Sequence, residues 1–98
     1  MIQVIKRDNS VVAFDIHKIE AAIQKAFASL NKETDDSIIE LLSLRVTSEF
    51  SEQIKDGKIP VEQIQDCVEY VLSVTGYADV AKAYILYRKQ RENVREFQ

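Results

Sequence analysis

Ninety-eight residues with a formal net charge of −3 make one domain, large enough to bury a single core without disulfide or metal staples. An apolar fraction of 46% beside 30% charged residues excludes a disordered chain, and a single Cys and a single His cannot build a zinc site of the finger or ribbon kind. No apolar run approaches membrane-spanning length and the amino terminus carries no cleavable signal pattern. The overall acidity weighs against broad nucleic-acid binding, although a local basic face overrides a total.

The chain opens on two short strands. Ile2, Val4 and Lys6 share one face of the first, with Gln3, Ile5 and Arg7 on the other. Asp8-Asn9 has the chemistry of a two-residue hairpin turn, because Asn tolerates positive φ. Val11, Val12 and Phe14 supply the return strand. Asp15 then stands at an N-cap position, and Phe14 lies five residues before Ile19, the spacing of a hydrophobic staple. Lys6, Arg7, His17 and Lys18 all fall near this helix start. Its first turn carries partial positive charge, so a cation there is unfavourable unless an anion binds. Two readings stand at this point: an anion site, or solvated surface.

The first helix is expected from Ile16 to about Leu30, with Ile16, Ile19, Ile23, Ala26, Phe27 and Leu30 as its apolar stripe and Asn31-Lys32 as its end. A second begins near Asp35-Asp36-Ser37. Ile38, Leu42, Val46, Phe50 and Ile54 step every four residues, Leu41 widens the stripe, and Asp56-Gly57 stops the helix. Lys58-Ile59 is read as a short third strand. Pro60 opens a third helix, buried along Val61, Ile64, Cys67, Val68, Val71 and Leu72, and Gly76 closes it. Cys67, on that stripe, reads as a small core residue of a protein in the reducing cytoplasm. The fourth helix runs from about Tyr77 to near the end of the chain. Val80, Ala81, Tyr84, Ile85 and Tyr87 pack its first half, and Tyr84, Arg88, Arg91 and Arg95 form one aromatic-basic row. That the sequence stops within a helix suggests a domain cut from a longer chain.

The chemistry these residues support is narrow. His17 has no Ser or Cys partner for nucleophilic catalysis, and the carboxylates lie on polar helix faces. Neither GxxxxGK[ST] nor GxGxxG occurs, and both glycines have turn duties. A polyphosphate must then be held by side chains and a helix amino end. Two groups are available, Lys6, Arg7 and Lys18 at the front and Arg88, Lys89 and Arg91 on the last helix. In a bundle capped by a hairpin both groups face one crevice. The competing reading of Arg88 to Arg95 is a set of cations complementing the carboxyl end of their own helix.

The run VIKRDNSVVAFDIHKIEAAIQKAF resembles the start of the ATP-cone, the regulatory nucleotide-binding domain of ribonucleotide reductases. The family pattern V-x-K-R-D-G followed by F-D-x-x-K-I is carried by Val4, Lys6, Arg7, Asp8, Phe14, Asp15, Lys18 and Ile19. IPVEQIQDCVE at Ile59 to Glu69 and the AKAYILYRKQR run from Ala81 extend the resemblance over essentially the whole chain, and the ending YRKQRENVRE is most similar to the cone of anaerobic, glycyl-radical reductases. Asn9 stands where Gly is usual, and Gln65 near where some members carry His.

The resemblance implies an α+β domain spanning residues 1–98, a small hairpin-led, three-stranded sheet lying as a lid on a four-helix bundle. It implies ATP or dATP, with Mg²⁺, between sheet and helices as an allosteric effector bound without hydrolysis. Val4, Lys6 and Arg7 would come from the lid and Lys18 from the first helix. Val61, Ile64 and Gln65 would line the base pocket, and Arg88 and Arg91 would reach the phosphates. It further implies that ATP supports, and dATP shuts down, a neighbouring catalytic domain through a change of oligomeric state. Two ligands drive opposite outcomes only by differing in affinity for two conformations, and the ribose 2′-hydroxyl is the one difference between them. Two other readings remain. One is the cone of a reductase-gene repressor, whose zinc-ribbon cysteines this sequence lacks; the other is a helical interaction module whose basic last helix binds an acidic partner.

Overall fold

The computed structural model describes residues 1–96, with Asn93–Glu96 described as helical backbone only. The first strand, β1 (Gln3–Ile5), pairs antiparallel with β2 (Val11–Ala13) and parallel with β3 (Lys58–Pro60), so the sheet order is β2-β1-β3. Val4 sits opposite Val12 on one side and Ile59 on the other. Val4 and Ile59 are buried, and this inward row fixes the register, because a slip of one residue would turn it to solvent. Four helices carry the sheet: α1 (Ile16–Ser29), α2 (Asp36–Phe50), α3 (Val61–Val74) and α4 (Ala78–Glu96). This is the expected α+β arrangement of a three-stranded sheet on four helices.

The hairpin turn differs from the two-residue form. Lys6 N–H donates to Ser10 O at 2.8 Å and Asn9 N–H to Lys6 O at 2.9 Å. Of the loop residues Arg7, Asp8 and Asn9, only Asn9 has positive φ, at 69°. That is a three-residue loop, a type I turn followed by one left-handed residue. Asp8 Oδ1 braces it by accepting from the Ser10 amide at 3.0 Å and the Ser10 hydroxyl at 2.6 Å. The two-residue turn with positive φ at both positions occurs instead at Asp56 (53°) and Gly57 (73°), between the paired residues Lys55 and Lys58. There it turns the chain into β3, and it does not cap α2.

α1 begins as the capping chemistry requires. The Asp15 carboxylate accepts from the His17 amide at 3.0 Å. The helix ends with Asn31 at φ 54°, where Asn31 N–H and Lys32 N–H reach back to Ala28 O and Phe27 O, closing the orphan carbonyls in the manner usual for a glycine. In α2 the buried residues are Ile39, Leu42, Ser43, Val46 and Phe50. The buried face is therefore centred one residue from the expected row at its start: Ile39 is buried, Ile38 is half-buried against the core, and Leu41 is 68% exposed. A period of 3.6 rotates a strict four-residue row around the helix. α2 also stops at Phe50, and Ser51–Gln53 form a 3₁₀ turn, leaving Ile54 outside the helix. α3 buries Ile64, Cys67, Val68, Val71 and Leu72 as expected, and burial raises the Cys67 thiol pKa. On α4, Val80, Ala81 and Tyr84 are buried, whereas Ile85 faces solvent.

The core lies between the four helices and continues under the sheet. Phe14 leaves β2 and meets Phe50 edge to face at 5.5 Å, while Phe27 of α1 meets Tyr77 at 5.3 Å. Such offset aromatic pairs add to the burial of their rings. β2 runs directly into α1 and β3 directly into α3, so two helix amino ends sit beside one small sheet. That juxtaposition makes the site.

Candidate functional site

A cavity of about 240 Å³ lies between the sheet and the helices. Its floor is apolar. Val4 and Val12 come from the sheet, Phe14 from the strand–helix junction, Ile19 and Ala22 from α1, and Val61, Ile64 and Val68 from α3. Its rim is charged: Lys6 and Arg7 follow β1, Lys18 stands in the first turn of α1, and Arg88, Arg91 and Glu92 line the α4 side. All nine residues expected to form the site, Val4, Lys6, Arg7, Lys18, Val61, Ile64, Gln65, Arg88 and Arg91, line this one cavity. Lys6 and Arg7 both reach it although neighbours on a strand point apart, because the chain leaves β1 at Ile5 and turns.

Two expected cations are elsewhere. The His17 side chain is 82% exposed and its Nδ1 lies 3.0 Å from Asp15; hydrogen bonds from the His17 amide and ring hold the Asp15 carboxyl below its ordinary pKa. Lys89 is exposed on α4 and does not line the cavity. The side chain of Arg95, the last member of the aromatic-basic row, lies outside the described residues.

Five cations and two carboxylates, Asp15 and Glu92, line the cavity, a lining balance of 5 − 2 = +3 within a chain of −3. The charges are not equally available. Arg88 Nη1 donates to Asp66 at 2.8 Å and to Glu69 at 2.5 Å. Partial burial works against its charge, but these two bonds and the negative charges of the same two carboxylates together raise its pKa above the ordinary value. Both partners belong to α3. Arg88 therefore ties α4 to α3 and does not complement the carboxyl end of its own helix. Arg7 donates to Gln65 Oε1 at 3.1 Å, lies 4.0 Å from Glu62 and pairs with Glu92. Among the described residues, Lys6, Lys18 and Arg91 have no carboxylate partner. Arg91 lies 5.9 Å over the Tyr87 ring, and its Nη1 donates to the Tyr87 hydroxyl at 3.3 Å.

Ten of the nineteen lining residues were not anticipated as part of the site, and three of those ten lie on α4. Tyr84 and Tyr87 read as core, and Tyr84 is indeed buried, its phenol pushed to a higher pKa by burial, yet both rings also wall the cavity. Glu92 reads as one more carboxylate on a polar helix face. The signal for all three was present: 84, 87, 88, 91 and 92 recur at spacings of three and four, which places them on one helix face. The arrangement offers an apolar slot for a flat ring and a cationic rim for an anion. Among the described residues no group of three or more His, Cys, Asp or Glu side chains could hold a metal ion.

The sequence matches the model of the ATP cone domain over residues 2–93. Similar proteins include the ribonucleoside-diphosphate reductase subunit alpha of Chlamydia trachomatis serovar D, 40% identical over 103 residues that cover 97% of this chain and 10% of that protein. The vitamin B12-dependent ribonucleoside-diphosphate reductase of Mycobacterium tuberculosis is 38% identical, covering 92% of this chain and 12% of its own. The anaerobic ribonucleoside-triphosphate reductase of Haemophilus influenzae is 39% identical, covering 95% and 13%. The chain thus spans little more than a tenth of the length of these relatives. Identities of 40%, 38% and 39% across three kinds of reductase do not single out the anaerobic one that the ending YRKQRENVRE suggested. With the family pattern running from the first strand well into the last helix, the chain belongs to the ATP cone domain family.

Proposed function

We propose that this domain binds ATP or dATP in the crevice between its sheet and helices, without hydrolysing it, and that the bound nucleotide regulates the activity of a ribonucleotide reductase. One observation carries the reading: an apolar floor and five cations, drawn from segments as distant in sequence as Lys6 and Arg91, meet at a single cavity. Its volume of about 240 Å³ is below the roughly 300–1,000 Å³ of pockets that enclose a whole drug-sized ligand. This suits a ligand whose ring end is enclosed while its phosphates lie along the open rim. Val4, Val61, Ile64 and Gln65 would seat the base. Lys6, Arg7, Lys18, Arg88 and Arg91 would hold the phosphates, as point charges from the lysines and forks from the arginines. Mg²⁺ would arrive with the nucleotide, held chiefly by phosphate oxygens.

The partner in this reading is the reductase's own catalytic domain, in the same polypeptide and in the cytoplasm, with an oligomer that changes with the effector. The terminal YRKQRENVRE motif favours an anaerobic ribonucleoside-triphosphate reductase as the parent. Discrimination between ATP and dATP would rest on how the 2′-hydroxyl alters the seating of the sugar between lid and bundle. The test is a calorimetric titration with Mg²⁺-ATP and Mg²⁺-dATP that also records mass. Saturable binding of both, abolished or weakened at least tenfold by Lys6→Ala, supports the proposal. No heat and no thermal stabilisation by either would refute it and favour an interaction module.

A further inference from the structure

We propose that Glu92 is an internal occupant of the anion site, a carboxylate latch that joins the lid to the fourth helix and that a bound triphosphate must displace. The inference rests on the nucleotide reading above and adds a regulatory contact to it. The Glu92 carboxylate pairs with Arg7, which belongs to the turn after β1, and its Oε1 lies 3.9 Å from Arg88 Nε on its own helix. One oxygen thus stands between a guanidinium of the sheet and a guanidinium of the bundle, where a phosphate oxygen would bridge the same two groups. The groups are partly shielded, with side-chain exposures of 34% for Glu92, 30% for Arg7 and 17% for Arg88.

Arg88 cannot follow Glu92 if the latch opens. Asp66 and Glu69 hold its Nη1 from α3, so it stays aimed at the cavity. Arg7 is held less firmly, by Gln65 at 3.1 Å and by Glu62 at 4.0 Å. An entering triphosphate therefore exchanges one anion for another between a fixed Arg88 and a less firmly held Arg7, and the carboxylate released is that of α4. The ligand-free lid is held by Glu92; the ligand-bound lid is held by phosphate.

The full chain tests this with Glu92→Gln, which removes the charge, and Glu92→Asp, which keeps the charge but shortens the reach. Asp66→Asn serves as control, since it removes a carboxylate behind Arg88 that does not touch the lid. Mg²⁺-ATP and inorganic tripolyphosphate are titrated against each, and amide exchange at Lys6 and Asn9 is followed without ligand. An ion pair at this exposure contributes at most about 1 kcal/mol, so Glu92→Gln should bind both ligands about fivefold tighter. Glu92→Asp should move in the same direction by about twofold. Both should speed exchange of the turn amides, whereas Asp66→Asn should not. Unchanged turn exchange in Glu92→Gln, or tighter binding in Glu92→Gln alone, overturns the latch, because the residue then acts only as a through-space charge. Tripolyphosphate tightening with no binding of ATP by any form keeps the latch and sinks the adenine-nucleotide reading. Absence of binding by both ligands overturns both.

Discussion

Lys18→Ala separates an anion site from ordinary surface, because Lys18 contributes little to the ligand-free fold. It is exposed, it has no carboxylate partner among the described residues, and it is the third residue of α1 after the Asp15 cap. A cation in the first turn opposes the helix dipole, and Ala is the better helix former. Against this stands only a weak attraction for Asp15, the smallest of the influences on that carboxyl. Without ligand the variant should be more stable by roughly 0.3–0.5 kcal/mol, or about 1–4 °C in Tm for a domain of this size.

With nucleotide the sign reverses. Loss of one cation–phosphate contact worth about 1.4 kcal/mol weakens binding tenfold. At a free ATP concentration one hundred times the wild-type Kd, wild type gains about 2.7 kcal/mol. The variant, then at ten times its own Kd, gains RT ln 11, about 1.4 kcal/mol. At about 4–8 °C per kcal/mol, the ATP-induced rise in Tm should fall by half. Thermal denaturation with and without Mg²⁺-ATP reads both effects in one experiment. An undiminished rise with ATP refutes the assignment of Lys18, and a ligand-free Tm several degrees below wild type shows it to be structural instead.

Phe50→Ala removes a fully buried ring from the junction with Phe14 and should cost about 3–5 kcal/mol, read as a lower urea midpoint with the slope unchanged. Arg88→Lys keeps a charge but has one nitrogen where the guanidinium sets Nη1 on Asp66 and Glu69 and Nε toward Glu92. Because Asp66 is 68% exposed and Glu69 26%, the loss should be about 1 kcal/mol, with ATP affinity falling as well; a stability loss with unchanged affinity would remove Arg88 from the phosphate site. The hydrogen bond from Lys32 at 2.7 Å, reinforced by the Val80 amide and opposed by desolvation, lowers the Asp79 pKa from 3.8. A depressed folded-state pKa contributes stability that is whole above the unfolded value and is lost as pH falls through the lower folded value. Asp79→Asn should therefore unfold more readily than wild type at neutral pH, and the two Tm values should converge below pH 3.8; a constant gap at all pH values would contradict the pairing.

The local chemistry of the chain was legible without coordinates. The Asp15 cap, the Asn31 and Gly76 helix ends and the stripes of α1 up to Phe27 and of α3 from Ile64 all depend on interactions within a few residues, which composition and period record directly; Leu30, read as part of the α1 stripe, lies past the helix and is exposed. Errors arose where local signals are degenerate. Asp8-Asn9 and Asp56-Gly57 both suit positive φ, and only the hydrogen bonds show that the first is a three-residue loop and the second the two-residue turn. In α2 a row of Ile and Leu leaves the phase ambiguous by one residue, and packing against α1 and α3 set Ile39 in the core, Ile38 at its edge and Leu41 in solvent.

Sequence alone also supplied the cations on Lys6, Arg7, Lys18, Arg88 and Arg91. Their convergence on one cavity, the commitment of Arg88 to Asp66 and Glu69 on α3, and the bridge from Glu92 to Arg7 belong to the tertiary structure. Those contacts join residues up to 85 positions apart (92 − 7). No periodicity carries information over that distance; only the packing of the sheet across two helix amino ends and the fourth helix brings the groups together.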